Sequence, residues 1–418
     1  MLRKTLKHIL RVSCKLAILR YKPFIIAITG NTGKTSTKEA VFLILKEKFF
    51  SVGKTRENFN TDIGVPLSIL GLSDAKRNIL GWARNFILIL KTITFGEKSF
   101  PKYLVLELAA DKPGEIEYFV RFLPINIGIV TAIGENPVHL QFFPSKESLI
   151  NEKSWLVRGV KDGGVILNYD DKDVLEMKSF IKKGVEISTY GKNDNAQVRF
   201  KIDDFFYNQE TGSYITNVEF KYEKFTKRAS FNNLLGDGYI YAVCAAVCFG
   251  LKIGNSLDKS IRILQEKFHS LPGRMSVISS RKKFTIIDDT YNASPLSYVN
   301  ALNAVEVINV NNRKSKKILV LGDMSELGKE TNDIHSKILK KAIGIGDKLI
   351  LIGDSMHLAS KKNRNKTKKN LKQEIYLEKN STNAFERLLK IASKDDIVLV
   401  KGSHRMDMSK VVELSRSM

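Results

Sequence analysis

Residues Phe24–Thr29 (FIIAIT) form a short buried-strand pattern that breaks at Gly30. The chain then passes through Asn31, Thr32 and Gly33 into Lys34, Thr35 and Ser36, where a helical pattern begins and runs to Phe49. Strand, glycine turn and helix in that order open a parallel α/β unit. A G-x-x-G-K-T core in that setting reads as a phosphate-binding loop. Its glycines let backbone N–H groups wrap an anion, and the helix start offers unpaired donors and the positive end of a dipole. Lys34 brings a cation to the β- and γ-phosphate oxygens, and Thr35 offers a hydroxyl to Mg²⁺. The usual pattern has a further glycine five residues before Gly33, where this chain has Ile28.

Further buried-strand runs at Tyr103–Leu108, Ile125–Ile133 and Gly164–Asn168, with helical patterns between them, predict a parallel sheet over the first 170 residues. Segments Val198–Tyr207 and Ser213–Tyr222, around Thr211-Gly212, predict a small antiparallel insertion within 184–230. Helix returns over 236–268, and the chain breaks again at Leu271-Pro272-Gly273-Arg274. Beyond it, four short apolar strands at Phe284–Ile287, Lys317–Leu321, Lys348–Ile352 and Ile397–Val400 predict a second, smaller Rossmann-like α/β domain. The expected organisation is a basic amphipathic arm over 1–22, a P-loop ATPase domain over 23–270 and a C-terminal domain over 271–418.

Lys and Arg exceed Asp and Glu by 68 to 44, a net charge of +24, which suggests anionic partners. The excess sits in the arm, in Arg313–Lys317 and in Lys361–Lys369, and is otherwise scattered. Basic and aromatic residues do not interleave as on a single-strand-binding surface, so nucleic acid is not expected and solvated lysine faces are the plainer reading. The arm holds seven Lys/Arg and no acid, with Leu2, Leu6, Ile9, Leu10, Leu16 and Leu19 at near-helical spacing. Packing on the following domain is expected of it, and peripheral contact with a membrane surface is the alternative. Asn78–Phe95 comes nearest to a membrane span, but Arg84 and Lys91 interrupt it, and it reads as a core or surface helix. Three cysteines, Cys14, Cys244 and Cys248, exclude a disulfide framework and read as core residues of a cytoplasmic protein. The chain is expected to be a monomer.

Phosphate binding does not define a reaction, but further segments narrow it. They are Asn58-Phe59-Asn60-Thr61-Asp62 before Ile63-Gly64-Val65-Pro66-Leu67, Leu106-Glu107-Leu108 with Lys112-Pro113-Gly114-Glu115-Ile116, and Ile133-Gly134 with His139-Leu140. Glu152-Lys153-Ser154-Trp155, Leu271–Met275, Asp288–Pro295 (DDTYNASP), Leu321–Gly328 (LGDMSELG) and Val400-Lys401-Gly402-Ser403 complete the series. Taken in order over roughly residues 24–410, they resemble the Mur ligase family. The last three motifs together resemble the branch that adds D-alanyl-D-alanine to a UDP-linked muramoyl tripeptide in peptidoglycan precursor synthesis.

The resemblance implies an ATP-dependent, amide-forming ligase that passes through an acyl phosphate and uses two Mg²⁺ ions. The barrier to that chemistry is charge crowding between carboxylate and triphosphate, which calls for cations and fixed donors. By resemblance, Gly30–Ser36 hold the phosphates, with Lys34 on them and Thr35 on the first Mg²⁺. Glu107 ligates magnesium, His139 ligates the second ion, and Lys153 does so as a CO₂-derived carbamate. Arg274 reaches the phosphates from the second domain, Asn292 holds the adenine and Asp323 binds the ribose. Lys401, Ser403 and the Asn58–Asp62 loop are implied substrate contacts.

The match departs from the family at named positions. Only about two dozen residues precede the loop, so the family's N-terminal UDP-gripping domain is expected to be absent. Ala132 stands where Asn is usual, an extra residue precedes His139, Gln141 replaces an acid, and Ala109-Ala110 replace Gly-Ala. The same chemistry on a lipid-linked muropeptide or a poly-amino-acid acceptor therefore stays open. So do a non-catalytic nucleotide- or anion-binding protein and, last, a nucleic-acid-binding one.

Overall fold

The computed structural model of the chain describes residues 2–56, 59–97, 99–138, 140–308, 315–364 and 373–417. Its first sheet has nine strands: β1 (Phe24–Thr29), β2 (Val52–Lys54), β3 (Tyr103–Glu107), β4 (Ile125–Val130), β5 (Gly164–Asn168), β6 (Glu186–Gly191), β7 (Val198–Asn208), β8 (Ser213–Tyr222) and β9 (Phe225–Asn232). Their order is β2-β3-β1-β4-β5-β6-β7-β8-β9. β1 sits between β3 and β4, parallel to both. Side chains alternate along it: Ile25 and Ala27 join one core, and Ile26 and Ile28 the other. Both faces are covered, so the strand reads as an unbroken apolar run.

Between the N-terminus and β5 lie α1 (Leu2–Tyr21), α2 (Lys34–Lys48), α3 (Gly64–Ile69), α4 (Ile79–Thr94), α5 (Glu115–Val120) and α6 (Lys146–Gly159). α2 packs with helices Asp237–Lys252 and Leu257–Lys267 on the Ile26 face. α1 lays Leu10, Cys14, Ala17 and Ile18 into the core on the opposite face. The N-terminal helix thus packs on the domain, but through Leu10, Cys14, Ala17 and Ile18; of the stripe expected from its spacing, Ile9, Leu16 and Leu19 face solvent. All three cysteines are buried and free, and burial raises each thiol's pKa, so they are inert core residues.

The antiparallel segment differs from its expected form. β6 still pairs parallel to β5, and β7, β8 and β9 extend the same sheet as its antiparallel edge. The alternation along β7 and β8 identifies strands, but nothing local says which neighbour they join.

The second sheet has six strands, β10 (Ser276–Ser279), β11 (Thr285–Asp289), β12 (Lys317–Gly322), β13 (Lys348–Ile352), β14 (Glu374–Glu378) and β15 (Ile397–Lys401), ordered β10-β11-β15-β12-β13-β14. All pairings are parallel except β10 with β11. The four apolar runs are its centre, and the two strands added by the structure are its edges. Helix 236–268 is two helices, separated by a turn at Ile253–Asn255.

Candidate active site

The loop from Gly30 to Gly33 is held by its neighbours. Gly30 has φ +142°, and a Cβ there would lie 2.0 Å from Thr131 Oγ1. Gly33 has φ +86° and caps α2 in the left-handed region. Only glycine fits both needs without strain. The N–H groups of Asn31 and Thr32 donate to the Ala132 carbonyl at 2.7 and 3.2 Å. This pins the loop and leaves the first-turn N–H groups of α2, at Lys34, Thr35 and Ser36, to meet an anion. The side-chain amide of Asn31 is buried with no hydrogen-bond partner among the described residues. A buried unpaired amide on such a loop calls for a polar ligand. Ile28, at the position of the missing glycine, lies inside β1 opposite Glu107, so the loop starts later and tighter.

A cleft of about 350 Å³ opens beside this loop. Asn31–Ser36, Asn60, Glu107 and Asp111 come to it from the first sheet's side, and Arg274, Asp289, Tyr291 and Asn292 from the second's. Its size suits a ligand of nucleotide scale. Arg274 crosses between the halves: one guanidinium nitrogen donates to Thr35 Oγ1 at 3.0 Å, and the planar group lies 3.8 Å from the Tyr291 ring centre. Stacking fixes a guanidinium in a way an ammonium cannot be fixed.

Lys34 and Lys153 meet under the loop. Lys34 Nζ donates to the carbonyls of Gly30 and Asn31 at 3.0 and 3.1 Å, and Lys153 Nζ donates to Gly30 at 3.1 Å. Burial lowers the pKa of both, that of Lys153 to about 7 with the Lys34 charge contributing. For Lys34, Glu107 and Asp111 pull the other way.

Glu107 ends β3, almost wholly buried, and accepts from Asn60 Nδ2 at 3.2 Å. Its second oxygen lies 3.8 Å from Lys38 Nζ. Lys38 is itself buried, donates to the Thr55 carbonyl at 3.0 Å and lies 3.4 Å from Glu39. Sequence reasoning missed Lys38; the signal was a lysine four residues after Lys34, on the same helix face. Glu152, beside Lys153, accepts from the N–H groups of Gly114 and Ile116 at 2.7 and 2.6 Å and so ties α6 to the start of α5.

The structure brings Gly30–Ser36, Glu107, Lys153, Arg274 and Asn292 around or beneath the cleft. It does not bring Asp323 there. That carboxylate instead accepts from the first-turn N–H groups of Ser355 and Met356, at 3.0 and 2.8 Å, on helix Asp354–Arg364. Lys401 is buried in an ion pair with Asp289 at 2.5 Å and donates to the Asn292 carbonyl at 3.2 Å, which supports the cleft wall. His139 and Asn58 lie outside the described residues, as do parts of the basic stretches 313–317 and 361–369. Among the described residues no cluster of three or more His, Cys, Asp or Glu side chains could hold a metal.

Comparison with known proteins agrees with this arrangement. The profile of the Mur ligase middle domain matches residues 83–250, and that of the Mur ligase, glutamate ligase domain matches 273–404. The UDP-N-acetylmuramoyl-tripeptide–D-alanyl-D-alanine ligase of Buchnera aphidicola from Acyrthosiphon pisum is 29% identical over 400 residues, covering 94% of this chain and 76% of the relative. The protein of the same name from Bacillus subtilis is 25% identical over 390 residues, covering 93% and 75%. The crystal structure of MurF ligase from Thermotoga maritima in complex with ADP superposes with TM-score 0.76 at 23% identity, covering 99% of this chain and 83% of that one, and shares the fold. With a middle domain and a ligase domain matched in succession, the chain belongs to the Mur ligase family.

Proposed function

We propose that this protein is an ATP-dependent ligase that joins D-alanyl-D-alanine to a UDP-linked muramoyl tripeptide. The observation that carries this reading is the meeting of Lys34, Thr35, Glu107 and Arg274 at one cleft fed by both sheets. The relatives named for that reaction support it. The chain then works as two domains divided near residue 271, and as a monomer, since both halves of the cleft come from one chain. UDP-linked substrates and ATP put it in the cytoplasm.

An oxygen of the tripeptide carboxylate attacks the γ-phosphorus, ADP leaves, and an acyl phosphate forms. The free amine of D-alanyl-D-alanine attacks the acyl carbon, loses a proton to solvent, and the tetrahedral adduct expels phosphate. The first-turn N–H groups of α2 hold the phosphates, and Lys34 and Arg274 offset the charge that gathers as two anions approach. Asn31 supplies the amide its buried position leaves unpaired, and Asn292 borders the space for the base.

The Thr35 hydroxyl and the Glu107 carboxylate are hard oxygen donors lining one cleft, and they fit Mg²⁺. Bound there, the ion would neutralise triphosphate charge. Lys153 as an amine does not fit a cation. Its lowered pKa keeps a neutral amine available, and attack of that nitrogen on CO₂ with loss of a proton gives a carbamate whose oxygens do fit. His139 completes this proposed set, and Asp323, implied at the ribose, accepts from the N-terminus of helix Asp354–Arg364.

The test is phosphate release from ATP with Mg²⁺ and bicarbonate, with each substrate alone and then both. Phosphate and a new amide only with both supports the reading. ATP binding without either product, under every pairing, overturns it.

A further inference from the structure

α4 sets Ile89 in the core, with Trp82, Leu88 and Ile93 against it, yet turns much of its apolar surface to water. A helix on the surface of a soluble domain shows polar residues to water and buries its apolar stripe. Here Leu80, Ile87 and Leu90 are 81%, 68% and 60% exposed, while Asn85 and Thr92 face inward. Asn85 Nδ2 donates to the Ser73 carbonyl at 2.8 Å, and the backbone carbonyl of Thr92 accepts from Tyr21 Oη at 2.8 Å. The packing therefore specifies this orientation.

α1 packs against α4 and repeats the pattern. Its core stripe faces inward, while Val12, Leu16 and Leu19, at i, i+4 and i+7, are exposed on another face. Arg20 donates to the Ile93 and Thr94 carbonyls at 2.8 and 3.3 Å and locks the two helices together at their C-terminal ends. Two joined helices thus present apolar side chains to solvent, an exposure that marks an interaction surface.

The charge beside these stripes is predominantly positive, with Asp74 just before and Glu97 just after the α4 stretch as the neighbouring acids. Residues 1–22 and 75–96 contain no acid. Lys15 neighbours Leu16, while Arg84 and Lys91 follow Leu80 and Ile87 by four residues on the exposed side of α4. Glu97, just beyond α4, lies 3.6 Å from Lys91. Apolar residues flanked by cations on helices in one layer match an anionic bilayer surface, where headgroups meet the cations and acyl chains meet the stripe. No helix among the described residues is long and apolar enough to cross a membrane, so the fit is to lying on one.

We propose that the α1–α4 face docks the protein peripherally on anionic lipid bilayers. The test uses the full chain and vesicles of either phosphatidylcholine alone or equal parts phosphatidylglycerol and phosphatidylcholine, read by co-sedimentation. Binding to the anionic vesicles that weakens with salt is expected, with little on neutral ones. Ile87→Glu/Leu90→Glu should lower partitioning at least tenfold. Arg84→Gln/Lys91→Gln should lower it roughly thirtyfold, since each cation contributes about fivefold. Both variants should keep the parent's Tm and ATP binding. Equal binding by parent and both variants, or no binding to anionic vesicles, overturns the proposal. A concentration-dependent dimer abolished by Ile87→Glu/Leu90→Glu, without vesicle binding, also overturns it and assigns the face to a second copy.

Discussion

Lys34 and Lys153 aim their side-chain nitrogens at a single carbonyl oxygen, that of Gly30, from 3.0 and 3.1 Å. Two lysines 119 positions apart, one on the loop helix and one on α6, are thus gathered behind the phosphate-binding loop. Burial first, and then opposition from the Lys34 charge held this close, lowers the pKa of Lys153.

Stability should record that opposition. Unfolded, Lys153 titrates near its ordinary 10.5; folded, it titrates near 7. Between those values the unfolded chain binds the extra proton, so stability rises with pH across the window and is lost as pH falls through it. The contribution is on the order of a few kcal/mol. Denaturation at a series of pH values without bicarbonate should show the rise, and Lys153→Met should flatten it by about one proton.

Lys34→Ala should abolish detectable ATP binding by calorimetry and lower turnover by about 10²–10³-fold, as removal of a fixed charge-stabilising group does. Lys34→Arg should not rescue it, because a guanidinium cannot repeat the bonds to Gly30 and Asn31 in that space.

Lys38→Met leaves Glu107 without its buried cation, while Glu39 keeps its pair with Lys54. Breaking a buried pair on one side costs about 3–5 kcal/mol. Thermal denaturation should show a clear drop in Tm, and adding Glu107→Gln should recover part of it. Additive losses in that cycle would show that the two groups do not interact.

Arg274→Ala should lower kcat/KM by roughly 10²-fold. Arg274→Lys should stay close to the Ala variant, since the ammonium loses the stack on Tyr291. Full activity in Arg274→Lys would reduce the residue to a point charge.

The central strands were legible because each is an apolar run bounded by turn residues: FIIAIT and GVILN have the observed boundaries of β1 and β5. β2 was not, because Val52–Lys54 is too short to show alternation, and β10 and β14 are edge strands whose pairing is set by distant chain. The loop was legible as a motif, and Arg274, named there by resemblance, donates to Thr35 at its helix start. A motif names Asp323, but local sequence does not predict that its carboxylate accepts from the first-turn N–H groups of helix Asp354–Arg364. The exposed stripe of α4 was read as helix, but periodicity alone cannot tell which face turns outward.

The central claim is that the cleft activates a carboxylate as an acyl phosphate. The most direct test supplies UDP-muramoyl-tripeptide with its terminal carboxylate labelled in oxygen-18, together with ATP, Mg²⁺, bicarbonate and D-alanyl-D-alanine, and follows the label by mass spectrometry. One labelled oxygen should appear in the released phosphate for each amide formed. Amide product with unlabelled phosphate would contradict the claim.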